Sequence, residues 1–377
     1  MNIYLLILAL ILFTGLVVVH ELGHFFVARR NGVKVLEFGL GFPPKVWSKV
    51  TKSKFIFSIN ALPLGGFVRL KGEHDGDTEK GDFGAASTWV KSKIMVAGVF
   101  MNLLTAFVLF TVIAWLGMPK LVDNQFTVKN DTKIIADKVL ISNVEKNSPA
   151  SLIGMKLNDQ FVSVTKDGDN QKVYLSGAND TRKITSQYAG EKVTIEFKRG
   201  SQTFVKQTTL NSKAAVLASE KTSNPIGYLG VSDQPFVLQQ STWSAPIVAL
   251  GLIKQFTVLT FQGLWKLVSG LAVGNTTQAT SQVSGPIGIF FILKNGSALG
   301  YQFILIIIAI ISLTLAIMNI LPIPALDGGR LFLMLGSRLF GKKQLSPKTE
   351  DAVHGLGFLA LMLLVVLISF VDVKRFF

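Results

Sequence analysis

Apolar residues fall along this chain in two patterns. Three stretches, Asn2–His20, Ile94–Met118 and Asn295–Leu326, are almost free of charge, and Leu356–Val371 is a shorter fourth. The first three approach or exceed the roughly 20 residues that cross about 30 Å of hydrocarbon, so each reads as a transmembrane helix. Between about residues 120 and 235 the pattern changes to short alternating or clustered runs. Val139–Val144, Phe161–Val164, Val193–Lys198 and Phe204–Thr209 read as β-strands, Ser148–Gly154 as a short capped helix, and Ser212–Asn224 as a polar linker. Trp243–Gly270 is apolar except for Lys254 and Lys266 and reads as an interfacial or re-entrant helix. Near the N-terminus, Phe55–Asn60 and Gly66–Leu70 flank the turn-forming run Leu62-Pro63-Leu64-Gly65-Gly66, which predicts a β-hairpin. Its edge can pair with an extended chain, which makes Gly65, Gly66 and Phe67 candidate substrate contacts.

The expectation is a multi-pass α-helical membrane protein with four transmembrane helices, an inserted small mixed α/β domain and a β-hairpin. Its parts are a first helix at 1–28, a loop with the hairpin at 29–93, and a second helix at 94–118. The inserted domain follows at 119–235, then an interfacial amphipathic segment at 236–294, a third helix at 295–329, a loop at 330–352 and a fourth helix at 353–373.

Composition agrees with alternating membrane and aqueous parts: 49% of residues are hydrophobic and the mean hydropathy is +0.45. Orientation comes from the basic residues. Twelve of the 38 Lys and Arg crowd the short loop 29–93, with Arg29 and Arg30 directly after the first helix and Arg338, Lys342 and Lys343 after the third. Short basic loops stay in the cytoplasm, so the termini and the inserted domain are expected outside, in a plasma-membrane protein. The net charge of +15 has no basic stripe interleaved with aromatics, so no nucleic acid is expected as a partner. The first apolar stretch lacks a basic leader and reads as a retained helix rather than a signal peptide. With no cysteine, strong metal ligands are limited to histidine and carboxylate.

Candidate chemistry sits at the end of the first apolar stretch. His20-Glu21-Leu22-Gly23-His24 places two imidazoles on one helical face, spaced to share a tetrahedral zinc ion, with Glu21 next to a water at that ion. Two of the four histidines in the chain are spent here, and ionisable groups at membrane depth are costly unless they function. A catalytic zinc takes a third protein ligand. Asp327 is the candidate, after Asn319-Ile320-Leu321-Pro322-Ile323-Pro324-Ala325-Leu326, where two prolines break the helix; His74 and His354 are alternatives in or beside polar loops. Depth favours Asp327 if the first and third helices run in the same direction. Were Trp243–Gly270 a further span, the next helix would invert and carry Asp327 about 30 Å away. Asn319 is a candidate for holding substrate backbone or an oxyanion, or else for a helix–helix hydrogen bond.

His-Glu-Leu-Gly-His in a first transmembrane helix with Asn-x-x-Pro-x-Pro-x-Leu-Asp-Gly-Gly in a late one resembles the site-2 protease family of intramembrane zinc metalloproteases, in its bacterial RseP/RasP-type branch. Gly98-Val99-Phe100-Met101-Asn102 is similar to the family's Gly-x-x-x-Asn element, which adds Asn102 to the substrate-binding candidates. Phe38–Pro43 and Asn60–Glu73 resemble its membrane-associated cytoplasmic loop. Residues 125–232, with Asn147-Ser148-Pro149-Ala150 and Gly154-Met155-Lys156-Leu157-Asn158-Asp159, resemble its extracytoplasmic PDZ domain, with Asn158 where glycine is commoner. The resemblance implies Zn2+ held by His20, His24 and Asp327, with Glu21 as base. It implies cleavage, near the cytoplasmic side of the lipid bilayer, of single-span membrane proteins such as anti-sigma factors, or of signal peptides. Two other functions use the same residues: a zinc transporter or sensor, which needs no base beside the first histidine, and an inactive PDZ scaffold.

Overall fold

A computed structural model describes residues 3–74, 77–169, 171–175, 180–220, 222, 224–275, 284–339 and 347–376. They fall into two compact units. The first holds residues 1–114, 126–128 and 243–377; the second holds 115–125 and 129–242.

In the first unit the apolar stretches form helices: α1 (Ile3–Arg30), α2 (Thr88–Leu116), α6 (Ala245–Ala272), α7 (Pro286–Gly296), α8 (Tyr301–Ile320), α9 (Asp327–Leu339) and α10 (Pro347–Phe376). Five of these, α1, α2, α6, α8 and α10, are long and apolar enough to cross a membrane, where four spans were expected. The additional one is α6. It is a continuous 28-residue helix, whose one proline, Pro246, lies in its first turn where it interrupts nothing. Ala245, Val248, Ala249, Leu252 and Phe256 recur at helical spacing on its buried face, and Phe256 stacks on Phe110 of α2 at 5.8 Å. The expected third span is divided. α7 stands apart from α8, and Pro322 and Pro324, lacking N–H donors, end α8 at Ile320 so that Asp327 opens a separate helix.

Helices α1 and α8 run side by side in the same direction. Leu6 and Ala9 pack with Leu293, Ile304 and Ile308 at one end. His20 and His24 meet Asp327 at the other. The α1–α2 crossing is closest at Gly23, where a Cβ would lie 2.5 Å from the Ala97 carbonyl oxygen. Opposite, α10 is held by its ends. Asp372, fully buried, accepts from the amides of Gly285 and Gly288 at 2.8 Å, capping α7. Near its start, Gly357 abuts Pro324 and Asp351 meets His74 at 3.0 Å.

The hairpin differs from expectation. Phe55–Asn60 and Gly66–Leu70 are not its two arms; both fall in or directly abut a single strand, β2 (Ile56–Leu70), whose partner is β1 (Val35–Val50). The true turn is at Thr51–Phe55, where Thr51 Oγ1 donates to the Phe55 carbonyl and Lys54 takes a positive φ of 64°. Glu37–Leu40 is paired on both sides, with Gly66–Arg69 and with Ile56–Ile59, so Leu62–Gly66 links two flanks of β1. Gly66–Arg69 is therefore an edge. Phe25, Phe38, Leu70, Phe83, Ile94 and Leu331 form the core that fixes this sheet to α1, α2 and α9. Glu37, 3% exposed, is paired with Lys45 at 2.6 Å and Arg69 at 3.1 Å; these cations hold its carboxyl below the usual range despite burial.

The second unit is a sheet in the order β3 (Met118–Pro119), β9 (Val231–Gln240), β4 (Lys133–Val144), β5 (Gln160–Lys166), β7 (Lys192–Arg199), β8 (Gln202–Thr209), with β6 (Val173–Tyr174) beside β5. The expected strands are β4, β5, β7 and β8. Three helices accompany them: α3 (Pro149–Leu152), α4 (Asp180–Gln187) and α5 (Lys213–Ser219). Ser148 caps α3, as its sequence indicates, by accepting from Ser151 N–H. The polar run after Ser212 is not a plain linker, because Ser212 caps α5 by accepting from Ala215 N–H. Asn158 takes a φ of 66°, which explains why glycine suits that position. Beside it Asp159, 1% exposed, accepts from Arg199 at 2.7 and 2.8 Å and from the Lys156 amide at 2.8 Å.

Two predictions follow from these contacts. Asp159→Ala removes the carboxylate that Arg199 and the Lys156 amide donate to, while Arg199 keeps the Gly154 carbonyl, and costs the second unit about 2 kcal/mol, read as faster amide hydrogen exchange in β5 and β7 of the whole protein; unchanged protection would refute it. His74 is raised above its ordinary pKa by its hydrogen bond to Asp351. A raised histidine stabilises below its unfolded pKa and loses that contribution as pH climbs through the folded one. The loop carrying His74 should thus become easier to cleave by added protease between about pH 6 and 8, a trend that His74→Phe abolishes.

Candidate metal centre

One turn of α1 presents His20 and His24 on a common face, and the start of α9 brings Asp327 to them. His20 Nε2 lies 3.1 Å from Asp327 Oδ2, His24 Nε2 lies 3.2 Å from it, and the two Nε2 atoms are 3.2 Å apart. Four ligands around zinc at about 2.0–2.1 Å stand about 3.3 Å from one another, so this triangle is one face of such a tetrahedron. The side chains are 11, 12 and 27% exposed. Asp327 Oδ2 is buried with no conventional hydrogen-bond donor. An oxygen in that state fits a cation. Among the described residues this is the one cluster of three or more histidine or acidic side chains whose ligand atoms converge.

The surroundings set the imidazole tautomers. His24 Nδ1 donates to the Ile94 carbonyl of α2 at 2.7 Å, leaving the Nε2 lone pair free for a metal. The Asn102 amide lies 3.2 Å from His20 Nδ1, and its Oδ1 is otherwise buried without a partner. Amide oxygen and nitrogen interchange by a half-turn, and with Oδ1 on the ring N–H both needs are met. Asn102, expected at the substrate, lies behind the His20 ring, and Ser312 of α8 braces it by donating to its carbonyl at 2.8 Å. Gly98 is required by the same packing, since a Cβ there would lie 2.4 Å from His24 Nε2 and 2.7 Å from His20 Nε2.

The Asp327 loop is compact because of its glycines. A Cβ on Gly328 would lie 2.3 Å from the Leu321 carbonyl oxygen, and one on Gly329 2.1 Å from that of Ile323. Ala325, two residues before Asp327, holds a positive φ of 77° and donates its N–H to His354 Nδ1 at 3.2 Å. His354 is therefore no ligand but a brace for the loop, and its position on α10 gave no sequence signal of that contact. His74 stands on the Asp351 side chain. Arg330 donates to the Glu73 carbonyl and reaches Glu73 Oε2 at 3.7 Å, joining α9 to the same loop.

Glu21 lies on the next face of α1. A Cβ on Gly66 would meet its Cγ at 3.2 Å, so the edge strand Gly66–Arg69 passes directly over the carboxylate. Gly65 and Phe67 flank that contact, and the Phe67 ring packs so tightly on Gly39 that a Cβ there would be 2.3 Å away. Asn319 is half-buried on the last turn of α8, and among the described residues its side chain has no hydrogen-bond partner.

Three relatives are similar over nearly their whole lengths. Proteins named "Putative zinc metalloprotease" in Clostridium perfringens and Fusobacterium nucleatum are 30% and 28% identical, with 98% of this chain covered in both and 98% and 99% of theirs. "Zinc metalloprotease RasP" of Geobacillus kaustophilus is 26% identical over 98% of this chain and 97% of its own. Residues 8–364, a span that contains every residue of the cluster just described, match the model of peptidase family M50, and the chain belongs to that family.

Proposed function

We propose that this chain is an intramembrane zinc metalloendopeptidase that hydrolyses peptide bonds in transmembrane segments, with His20, His24 and Asp327 as ligands and Glu21 as base. The observation that carries it is the 3.1–3.2 Å donor triangle beside Glu21 on helices apolar enough to span a membrane. Zinc bound there supplies a Lewis acid that polarises the scissile carbonyl and acidifies a water. Glu21 takes the proton of the attacking water and hands it to the leaving amine. The substrate, a helix whose carbonyls are engaged in i to i−4 bonds, unwinds and adds to the edge Gly66–Arg69, whose Val68 N–H donates to Glu21, and this sets one peptide bond over that carboxylate. Asn319, unpartnered, is a donor for the substrate backbone. Asn102 acts by fixing His20.

The basic loops support a site near the cytoplasmic face and an inserted PDZ-type domain on the other side. The parallel pairing of α1 with α8 requires an even number of crossings between α2 and α8. α7, about 16 Å long, is too short to be one of them. That favours α6 at the outer interface over a fifth span. The exposed Val46, Trp47, Val50 and Leu62 suit a hairpin resting in lipid. Substrates are single-span membrane proteins or remnant signal peptides. A transporter would have no use for a carboxylate pressed against an edge strand.

With a tagged single-span substrate, Glu21→Gln is expected to lower kcat/KM at least about a hundredfold with zinc retained, whereas Asp327→Asn loses zinc as well. Substantial cleavage by purified Glu21→Gln, or full zinc in Asp327→Asn, rejects these assignments. His354→Ala frees the Ala325 amide and should weaken zinc affinity about tenfold, with partial recovery in His354→Asn; wild-type affinity in His354→Ala would show that the loop holds itself.

A further inference from the structure

A groove of about 480 Å³ runs along the contact of α1 and α2, and none of His20, Glu21, His24 or Asp327 lines it. Gly23 forms its floor, where the α1 backbone closes on the Ala97 carbonyl, while Phe26 and Phe100 stand exposed beside the crossing. On α2 the lining reaches from Trp89 to Met101, about 18 Å of helix, close to the roughly 15 Å that one leaflet contributes to the hydrocarbon core. A helix of that length and about 10 Å diameter fills about 1,400 Å³. The groove offers about a third of that, so a thinner chain suits it better than another span.

Polarity enters at one end only. Ser92 and Lys93, near the start of α2, line that end, and among the described residues no acidic side chain lines the groove. Lys93 Nζ donates to the neutral Asn31 Oδ1 at 3.1 Å and lies 5.9 Å from the Trp89 ring, so neither contact balances its charge. Arg30, exposed and adjacent to Asn31, follows Gly23, Phe26 and Val27 on one stripe of α1. Helical side chains lean toward their own N-terminus, so its guanidinium leans back over the groove's mouth. The exposed Trp89 stands at the same level, as tryptophan does where hydrocarbon meets headgroups.

We propose that this groove binds an anionic phospholipid, with one acyl chain lying along Gly23 and Ala97 and the phosphate between Lys93 and Arg30. The occupant is argued from charge. Two cations with no carboxylate between them, at the end of an apolar channel one leaflet deep, complement a negative headgroup; a zwitterionic one would bring its own cation among them. The proposal goes beyond the peptidase chemistry and needs only that α1 and α2 lie in a bilayer.

The test is native mass spectrometry of the whole protein in neutral detergent, with added phosphatidylglycerol or phosphatidylcholine of identical chains. Phosphatidylglycerol should bind about tenfold tighter. The double variant Arg30→Gln, Lys93→Gln should erase that preference, and Lys93→Arg should keep it; an unchanged thermal midpoint in phosphatidylcholine confirms that each variant is folded. A phosphatidylglycerol with a photoreactive diazirine in its chain should label peptides containing Phe26 or Val96. Equal binding of the two lipids, an undiminished preference in the double variant, or labelling confined to other helices overturns the proposal. So does displacement of the lipid by inorganic phosphate, which would mark a simple anion site, or by a tagged single-span substrate or a second copy of the chain, which would give the groove to a protein helix. Neither zinc nor proteolysis enters the binding readout, so its failure leaves the protease reading standing, and an inactive protein would leave the lipid site standing.

Discussion

Two imidazoles and a carboxylate converge within 3.2 Å of one another on apolar helices, where a bare carboxylate is costly unless it is paired, and most of the first unit serves that convergence. α1 supplies both imidazoles for free, by helical spacing. Asp327 is the expensive member. It must arrive from residues more than 300 positions away at the same depth, which forces α8 to run parallel to α1. It must also leave the helix, because a carboxylate on α8 itself would point along a fixed stripe. The prolines end α8, the paired glycines fold the loop onto its last turn, and Asp327 then opens α9 with its side chain aimed at His20 and His24.

The same constraint explains the small residues around the site. Gly98 lets α2 slide under both rings, and Gly23 lets α1 close on Ala97, so that the Ile94 carbonyl and Asn102 amide reach the outer nitrogens of His24 and His20. A methyl group at Gly98 would push apart the two Nε2 atoms of the proposed metal centre. Tautomer control and helix packing are thus one arrangement here, since the atoms that orient the rings belong to the helix that the glycines admit.

Much of this was legible in the sequence, for identifiable reasons. The histidine pair, the glutamate and the broken helix before Asp327 are local signals, read from spacing and from residues that cannot continue a helix. The strands of the second unit were legible from alternation. What escaped the sequence depends on partners. Leu62–Gly66 has the residues of a hairpin turn, yet β1 inserts between its flanks, so the turn fell at Thr51–Phe55 instead. Asn102 carries the same amide whether it faces substrate or His20, and only the depth of α2 against α1 decides. His354 looked like a spare ligand, but its ring meets a backbone amide made available by the unusual φ of Ala325.

The helix α6 marks the limit of hydropathy as a guide. Length and apolarity suffice for a span, but those properties describe a helix against lipid in any orientation. The proposed site bears on topology: with His20, His24 and Asp327 close together and α1 parallel to α8, the proposed topology has an even number of crossings between α2 and α8. A chemical requirement of a few ångströms at one end of the helices thereby fixes the path of the chain some 30 Å away at the other, which is why three ligand atoms constrain the architecture more tightly than the hydrophobic pattern that builds it.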